Sequence, residues 1–254
     1  MTTTALTALH VSVSAMLARQ FEMDVISNNL ANVNTTGYKP SRADFQELFV
    51  EGVPDNRSTT PYRGTGPGVT RRSTLPGALA PASSPLEMAI EGDGFFAVTQ
   101  PDGTTAYTRD GRFLQDGANQ LVTVTGQPVV WDGALPQEAE ALHVNVDGTV
   151  MARANGQWTQ VGAIAVFRFD NPGGLLAADD NLLVVSEASG DPAQGVGGQN
   201  GFGRIISGAT ENSAIDYAEE VTSMILAQRA YTMSIKAFQQ TDEMMGMANR
   251  LRSG

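Results

Sequence analysis

The stretch Ala5–Tyr38, ALTALHVSVSAMLARQFEMDVISNNLANVNTTGY, decides how the rest of the chain is read. Alternate steps of three and four from Leu6 land on Leu9, Val13, Met16, Gln20, Met23, Ser27 and Leu30. All but Gln20 and Ser27 are apolar, so heptad spacing is kept over more than three repeats. The pattern predicts a helix from about Thr4 to Val33, roughly 45 Å long at 1.5 Å per residue. Such a helix is too long for a small core to cover, and it needs a partner. Its stop is expected at Asn34-Thr-Thr-Gly37, where Gly takes the left-handed conformation at C′.

The expected partner is the other terminus. Ala214, Tyr217, Val221, Met224, Gln228, Tyr231, Ile235, Phe238, Asp242 and Met245 again alternate by three and four. Ser213 reads as the cap, with Asp216 completing a shortened capping box. Asp216, Glu219 and Glu220 near the start, and Arg250 and Arg252 near the end, suit the helix dipole. Ser213 to Arg252 would run roughly 60 Å. Pairing the two stripes gives the expected interface: Leu6, Leu9, Val13, Met16, Met23 and Leu30 against Val221, Met224, Tyr231, Ile235, Phe238 and Met245. Val25, Ile26, Ile225, Met244 and Met247 fall outside that seam and leave apolar area for other copies.

Between the helices the character changes twice. Arg42-Ala-Asp-Phe-Gln-Glu-Leu-Phe49 suggests one or two amphipathic turns. Residues 51–85 carry Pro54, Pro61, Pro67, Pro76, Pro81 and Pro85 with many Ser, Thr and Gly, the composition of a linker or a strand-poor arm. From Leu86 to about Ile206 the period falls to two, in short β-prone runs separated by Asp-Gly pairs at 102–103, 110–111, 116–117, 132–133 and 147–148. Asp-Gly between apolar runs signals hairpins. The expected fold class is therefore α+β. The terminal helices pair as a coiled-coil domain (1–45 with 208–254). An extended arm (46–85) leads into a central, mostly antiparallel β-rich outer domain (86–207), sandwich- or barrel-like.

Composition narrows the function. The 254 residues carry a formal net charge of −11, which argues against nucleic acid as a partner, because phosphate binding needs a basic patch. Residues 1–45 are neutral and 208–254 are close to it, so the acidic charge sits in the middle. The two ends read as association surfaces and the middle as the solvated body. There is no cysteine, which rules out disulfides and thiolate metal sites. No stretch approaches the ~20 apolar residues of a membrane span, so no direct membrane insertion is expected, and the N-terminus lacks the pattern of a cleaved secretory signal. His10 and His143 have no triad or metal-ligand neighbourhood. The Asp-Gly pairs lack calcium-loop spacing. Gly64-Thr-Gly-Pro-Gly68 and Gly92-Asp-Gly94 fail the context of a phosphate loop. No catalytic, metal or cofactor-binding set is expected, and no enzyme. Five of the ten Met lie on the C-terminal helix, suiting either core filling or an adaptable interface.

Four stretches, in order, carry a resemblance. Ser27-Asn-Asn-Leu-Ala-Asn-Val-Asn-Thr-Thr-Gly-Tyr38 resembles the N-terminal signature of the bacterial flagellar rod and hook (axial) proteins, through Asn28, Asn29, Leu30, Ala31, Asn32, Asn34, Thr35 and Gly37. Ile90-Glu-Gly-Asp-Gly-Phe-Phe96 is similar to the entry to that family's β domain, through Gly92, Gly94, Phe95 and Phe96. Tyr107-Thr-Arg-Asp-Gly-Arg-Phe113 is similar to the next block. Glu211-Asn-Ser-Ala-Ile-Asp216, with Gln228, Arg229, Ala230 and Tyr231, resembles the C-terminal signature. The length and the run Ser41-Arg-Ala-Asp-Phe-Gln-Glu-Leu48 are most similar to the distal-rod branch, with the proximal-rod paralogue as the alternative. A coiled-coil adaptor forming a discrete oligomer is the alternative from another class. The resemblance implies a homo-oligomeric helical polymer, a drive shaft that passes torque from motor to hook. Its implied partners are neighbouring rod proteins, the hook protein, the flagellar type III export apparatus and surrounding ring proteins. Its implied location is the basal body outside the cytoplasmic membrane, in the periplasm or cell envelope.

Overall fold

The computed structural model describes residues 2–50, 62–137 and 139–253. The chain forms two compact units that interleave in sequence: Met1–Ala31, Ser41–Arg72 and Asp216–Gly254 make one, Asn32–Pro40 and Ser73–Ile215 the other.

The first unit holds two helices, α1 (Thr2–Ala31) and α2 (Tyr217–Ser253), with strands β1 (Ser41–Val50) and β2 (Tyr62–Arg72). α1 is rich in Ala and Leu and contains neither Gly nor Pro, so nothing in it interrupts the backbone ladder. It ends at Ala31, short of the expected Val33, and Gly37 is therefore not its C′ residue. Ser213 is not the cap of α2. Asp216 is, its Oδ1 accepting from the Ala218 and Glu219 N–H groups at 2.9 and 3.1 Å, and α2 starts only at Tyr217. A carboxylate three residues past Ser213 outcompetes the hydroxyl because it meets two orphan donors at once.

Arg42–Phe49 is strand, not helix. β1 and β2 pair antiparallel from Ser41↔Arg72 to Val50↔Tyr62, with a register shift between Ala43 and Phe45. Arg42, Asp44 and Gln46 are exposed while Ser41, Ala43 and Phe45 are half-buried, and the Arg19 guanidinium lies 5.9 Å over the Phe45 ring. The two-residue alternation was present in the sequence, but Glu47 and Leu48 also fitted a helical turn. The arm expected over 46–85 thus contains part of a ribbon that groups with the helices, while residues 51–61 of its Pro-rich stretch 51–85 lie outside the described residues. Residues 73–85 group with the β body.

α1 lies against α2 and against the ribbon. The buried face of α2 runs through Met224, Ala227, Tyr231, Ser234, Phe238, Thr241 and Met245, with Ala227 and Thr241 most covered. Gln228 and Asp242, which the expected stripe passed through, are exposed; the seam takes the small residues one position earlier and leaves the polar ones in water. On α1, Leu9, Met16, Met23 and Leu30 are half-buried and the fully covered residues are Ala18, Ile26 and Asn29. Val13 is 39 % exposed and so lies outside the seam. α1 has two neighbours, which set its buried face jointly. The side chain of Leu6 lies outside the described residues.

The second unit is built from short antiparallel strands. One four-stranded sheet runs Ala141–Val144, Thr149–Ala154, Gln157–Ile164, Trp131–Gly133, and another runs Leu176–Ala177, Leu183–Val184, Thr105–Thr108, Phe96–Thr99. Two-stranded pairs join Met88–Glu91 to Arg204–Ser207, Leu79–Pro81 to Ala209–Glu211, and Phe113–Gln115 to Leu121–Thr123. Asp102-Gly103, Asp116-Gly117 and Asp147-Gly148 sit in hairpin loops as expected. Asp132-Gly133 does not turn the chain: it lies within strand Trp131–Gly133, paired to Gly162 and Ala163. Asn155 and Gly156, both left-handed, make the two-residue turn between Thr149–Ala154 and Gln157–Ile164. The main core gathers Met88, Ile90, Phe96, Val98, Phe113, Leu121, Val150, Ile164, Val166 and Ile205, and Phe96 meets Phe113 edge to face at 5.1 Å.

Candidate functional site

The signature motifs converge on two joints, one in each unit. In the helical unit the joint is Asn29, 1 % exposed in the last turn of α1. Its Nδ2 donates to the Ser41 carbonyl at 2.9 Å and to Glu220 Oε1 at 3.1 Å, while its Oδ1 accepts from the Ser41 N–H at 3.0 Å. One amide side chain thus satisfies both backbone groups at the start of β1 and reaches the first turn of α2. An amide suits these three contacts because it offers two N–H donors and a carbonyl acceptor at once, and Gln would be one methylene longer. Asn29→Ala would leave the Ser41 groups and Glu220 without that partner. We expect a loss of about 2–4 kcal/mol, at 1–3 per stranded buried group, measured by chemical denaturation. Beside the joint, Glu220 has its pKa raised by burial, with adjacent Glu219 adding to the effect and Asn29 and Arg42 opposing it. Arg42 pairs instead with Glu219, at 3.2 Å on the surface.

In the β body the joint is Glu211, 0 % exposed at the end of strand Ala209–Glu211. Its carboxylate accepts from Lys39 Nζ, from the Gly77 N–H at 2.7 Å and from Arg109 at 3.4 Å. Lys39 also donates to the Leu75 carbonyl at 2.7 Å. Arg109 donates to the carbonyls of Ile90 and Gly92 at 3.1 and 2.7 Å, and its guanidinium lies 5.2 Å over the Phe95 ring. Burial lowers the pKa of Lys39 and of Arg109, and Glu211 pulls each back toward its charged form. The Glu211 backbone carbonyl accepts from the Gly37 N–H at 2.7 Å, and the Ala214 N–H donates to the Tyr38 carbonyl at 3.1 Å. Gly37 sits at φ +67°, and a Cβ there would lie 2.6 Å from the Arg109 carbonyl carbon. The glycine serves this close approach, not a helix end.

Of the motif residues, Asn29, Gly37, Gly92 and Phe95 take part in these joints, and Phe96 belongs to the main core. Asn32 and Thr35 form the turn after α1, with the Thr35 N–H and Oγ1 both 3.1 Å from Asn32 oxygens. Asn28, Ala31 and Asn34 are exposed and Leu30 is half-buried. Gly94 lies between strands Met88–Glu91 and Phe96–Thr99. Gln228 and Arg229 are exposed on α2, and Ala230 and Tyr231 are half-buried. Lys39, Arg109 and Glu211 do not stand out as site residues in the sequence; the available signal is a charged residue just after the first block, one inside the third and one opening the fourth. Neither joint holds a nucleophile with an adjacent base. His10 and His143 are exposed. Among the described residues no group of His, Cys, Asp and Glu could hold a metal ion, and no helix is long and apolar enough to cross a membrane.

Three family models match the chain in series: "Flagella basal body rod protein" over residues 9–39, "Flagellar hook protein FlgE/F/G D1 domain" over 89–152, and "Flagellar basal body rod FlgEFG protein C-terminal" over 206–251. The first ends at Lys39, and the third spans Glu211. The chain is 38 % identical to the flagellar basal-body rod protein FlgG of Borreliella burgdorferi, covering 96 % of this chain and 98 % of the relative. It is 37 % identical to FlgG of Caulobacter vibrioides over 97 % and 99 %. It is 30 % identical to the rod protein FlgF of Mesorhizobium japonicum over 92 % of each. The chain belongs to the flagellar basal-body rod protein family.

Proposed function

We propose that the chain is a structural subunit of the flagellar basal-body rod, in its distal segment, polymerising helically into a shaft that passes torque to the hook. The observation that carries this is the convergence of all the family blocks on two internal joints, in a chain matched end to end by rod proteins. FlgG relatives between 34 and 38 % identical, against 30 % for the FlgF relative, support the distal segment over the proximal alternative. The terminal helices pair as a coiled-coil inner domain, the β body faces outward, and the stretch between them braces neighbouring copies. Neighbouring rod proteins and the hook protein adjoin the ends. The subunit leaves the cell through the flagellar type III export apparatus, and surrounding rings enclose the shaft outside the cytoplasmic membrane.

Physical support comes from what the helices leave uncovered. Val11, Val13 and Leu17 on α1, and Ile225, Leu226, Met233, Met244 and Met247 on α2, are exposed. At about 25 cal/mol per Å², a few hundred Å² of such surface per contact supplies several kcal/mol before association costs. Repeated around a helix of copies, contacts of that size make a stiff shaft without any single strong one. Electron microscopy of concentrated protein tests the reading: filaments are expected, and a discrete dimer or trimer would favour the adaptor alternative. Val13→Asp is expected to abolish filaments while leaving monomer stability within about 0.5 kcal/mol, as for a surface change. Filaments from that variant would remove Val13 from the assembly surface.

A further inference from the structure

The face of α2 opposite its buried seam carries a second stripe of three- and four-residue steps. It runs Leu226, Arg229, Met233 and Lys236 before Gln240 and Glu243 close it, and every one of these residues is exposed. Leu226 is 60 % and Met233 68 % exposed. Arg229 and Lys236 make no ion pair among the described residues. This half of the stripe is apolar and basic on a chain of net charge −11.

A surface complementary to it exists in the same unit. Beside Asn29, α1, β1 and α2 enclose an open groove of about 220 Å³, lined by Val25 and Ile26, by three carboxylates (Glu22, Glu219 and Glu220) and by one cation, Arg42. Glu22 pairs with Arg19 at 2.7 Å, and Glu219 with Arg42. Glu220 accepts from the neutral amide of Asn29 and makes no ion pair among the described residues; Arg42 acts on it only at longer range, its own ion pair being with Glu219. A half-buried carboxylate held against a neutral donor is poorly compensated, which agrees with the rise that burial gives its pKa.

The two surfaces cannot meet within one chain. Glu220 and the cations are on the same helix, with Arg229 and Lys236 roughly 14 and 24 Å further along it. We propose that the Leu226–Arg229–Met233–Lys236 stripe of one copy seats in the acidic groove beside Asn29 of a second copy, head to tail. The apolar pair packs over half-buried Val25, and a basic side chain supplies the ion pair that Glu220, alone of the three groove carboxylates, lacks. Donor and acceptor patches differ, so the contact is heterologous and each copy leaves one of each free, which extends a filament rather than closing a dimer. This inference rests on the polymeric reading above and adds the polarity of its contacts.

The absence of cysteine makes a cross-linking test clean. Ser223 lines the groove and Met233 lies on the stripe. Ten residues apart on one helix, they are roughly 15 Å from each other, too far for an intramolecular disulfide, whose Cα atoms lie within about 7 Å. The full chain carrying Ser223→Cys and Met233→Cys should give, on oxidation, a ladder of covalent multimers. Met233→Cys alone should give none. Arg229→Glu with Lys236→Glu should raise the concentration at which wild-type-like polymers sediment by about tenfold or more, because like charges then face each other. A wild type that polymerises while the double-cysteine chain gives no ladder overturns this inference alone. So does a disulfide dimer from Met233→Cys alone, which would mean stripe meeting stripe. A wild type that stays monomeric at every concentration removes the polymeric reading and this inference with it.

Discussion

Glu211→Ala will lower the stability of the β body by about 3–5 kcal/mol, the range for removing one partner of a buried ion pair. The loss follows from what the carboxylate leaves behind. Lys39 and Arg109 are both buried, and both are already pushed toward their neutral forms by that burial. Without Glu211 their charges face each other in a site that water does not reach, and the Gly77 N–H loses its acceptor. For a chain of this size each kcal/mol moves the midpoint by about 2–4 °C, so thermal unfolding should shift by roughly 10 °C. Lys39→Met is the informative contrast. It removes one cation of the like-charged pair and leaves Glu211 held by Arg109 and Gly77, so its cost should stay near 1–2 kcal/mol. Equal losses from the two variants would show that the carboxylate is not the centre of the network.

Gly37→Ala carries the second large effect, about 2–4 kcal/mol. Two costs combine. A residue with a Cβ at φ +67° costs roughly 1–2 kcal/mol in the left-handed region. The new methyl would also lie 2.6 Å from a backbone carbon of Arg109, an atom that cannot swing aside. Gly37→Asn separates them, because Asn tolerates the left-handed backbone but brings the same Cβ. If the contact dominates, Asn recovers little; if conformation dominates, Asn recovers most of the loss. Urea unfolding of the three proteins decides it.

The fold class was legible because its signal is periodic. Two heptad stripes at the ends and a two-residue rhythm between them lead directly to helices flanking a β body. What was not legible is which face each helix buries. Periodicity finds a stripe but not the neighbours it meets, and α1 meets a ribbon as well as α2, which puts Val13 outside and Ala18 inside. Small residues such as Ala227 and Thr241 carry almost no hydropathy, yet they are where the helices are most covered. Arg42–Phe49 was misread because eight residues cannot separate one helical turn from a short strand when both patterns fit; its pairing partner β2 is a run of Gly, Thr and Arg with no strand signal of its own. The joints were half legible. Asn29 and Gly37 stand in a recognisable motif, but their partners Ser41, Glu220, Arg109 and Glu211 are brought to them by the fold. A buried Lys–Glu–Arg set looks like any surface charge until the chain is folded.

One consequence concerns recombination between relatives. The eleven residues from Asn29 to Lys39 look like a single motif, yet Asn29 belongs to the helical unit and Asn32–Pro40 to the β body. A chimaera that exchanges bodies between two rod proteins therefore has its natural seams inside the signature, between Ala31 and Asn32, and again between Pro40 and Ser41. Residues 32–40 must travel with the body that supplies Arg109 and Glu211, while Asn29 must stay with the helices that supply Ser41 and Glu220. A graft cut at the outer edges of the motif, where similarity suggests cutting, would place Lys39 opposite a foreign acid or Asn29 beside a foreign helix. Compatibility between parts is decided within those eleven residues, not at the ends of the domains they join.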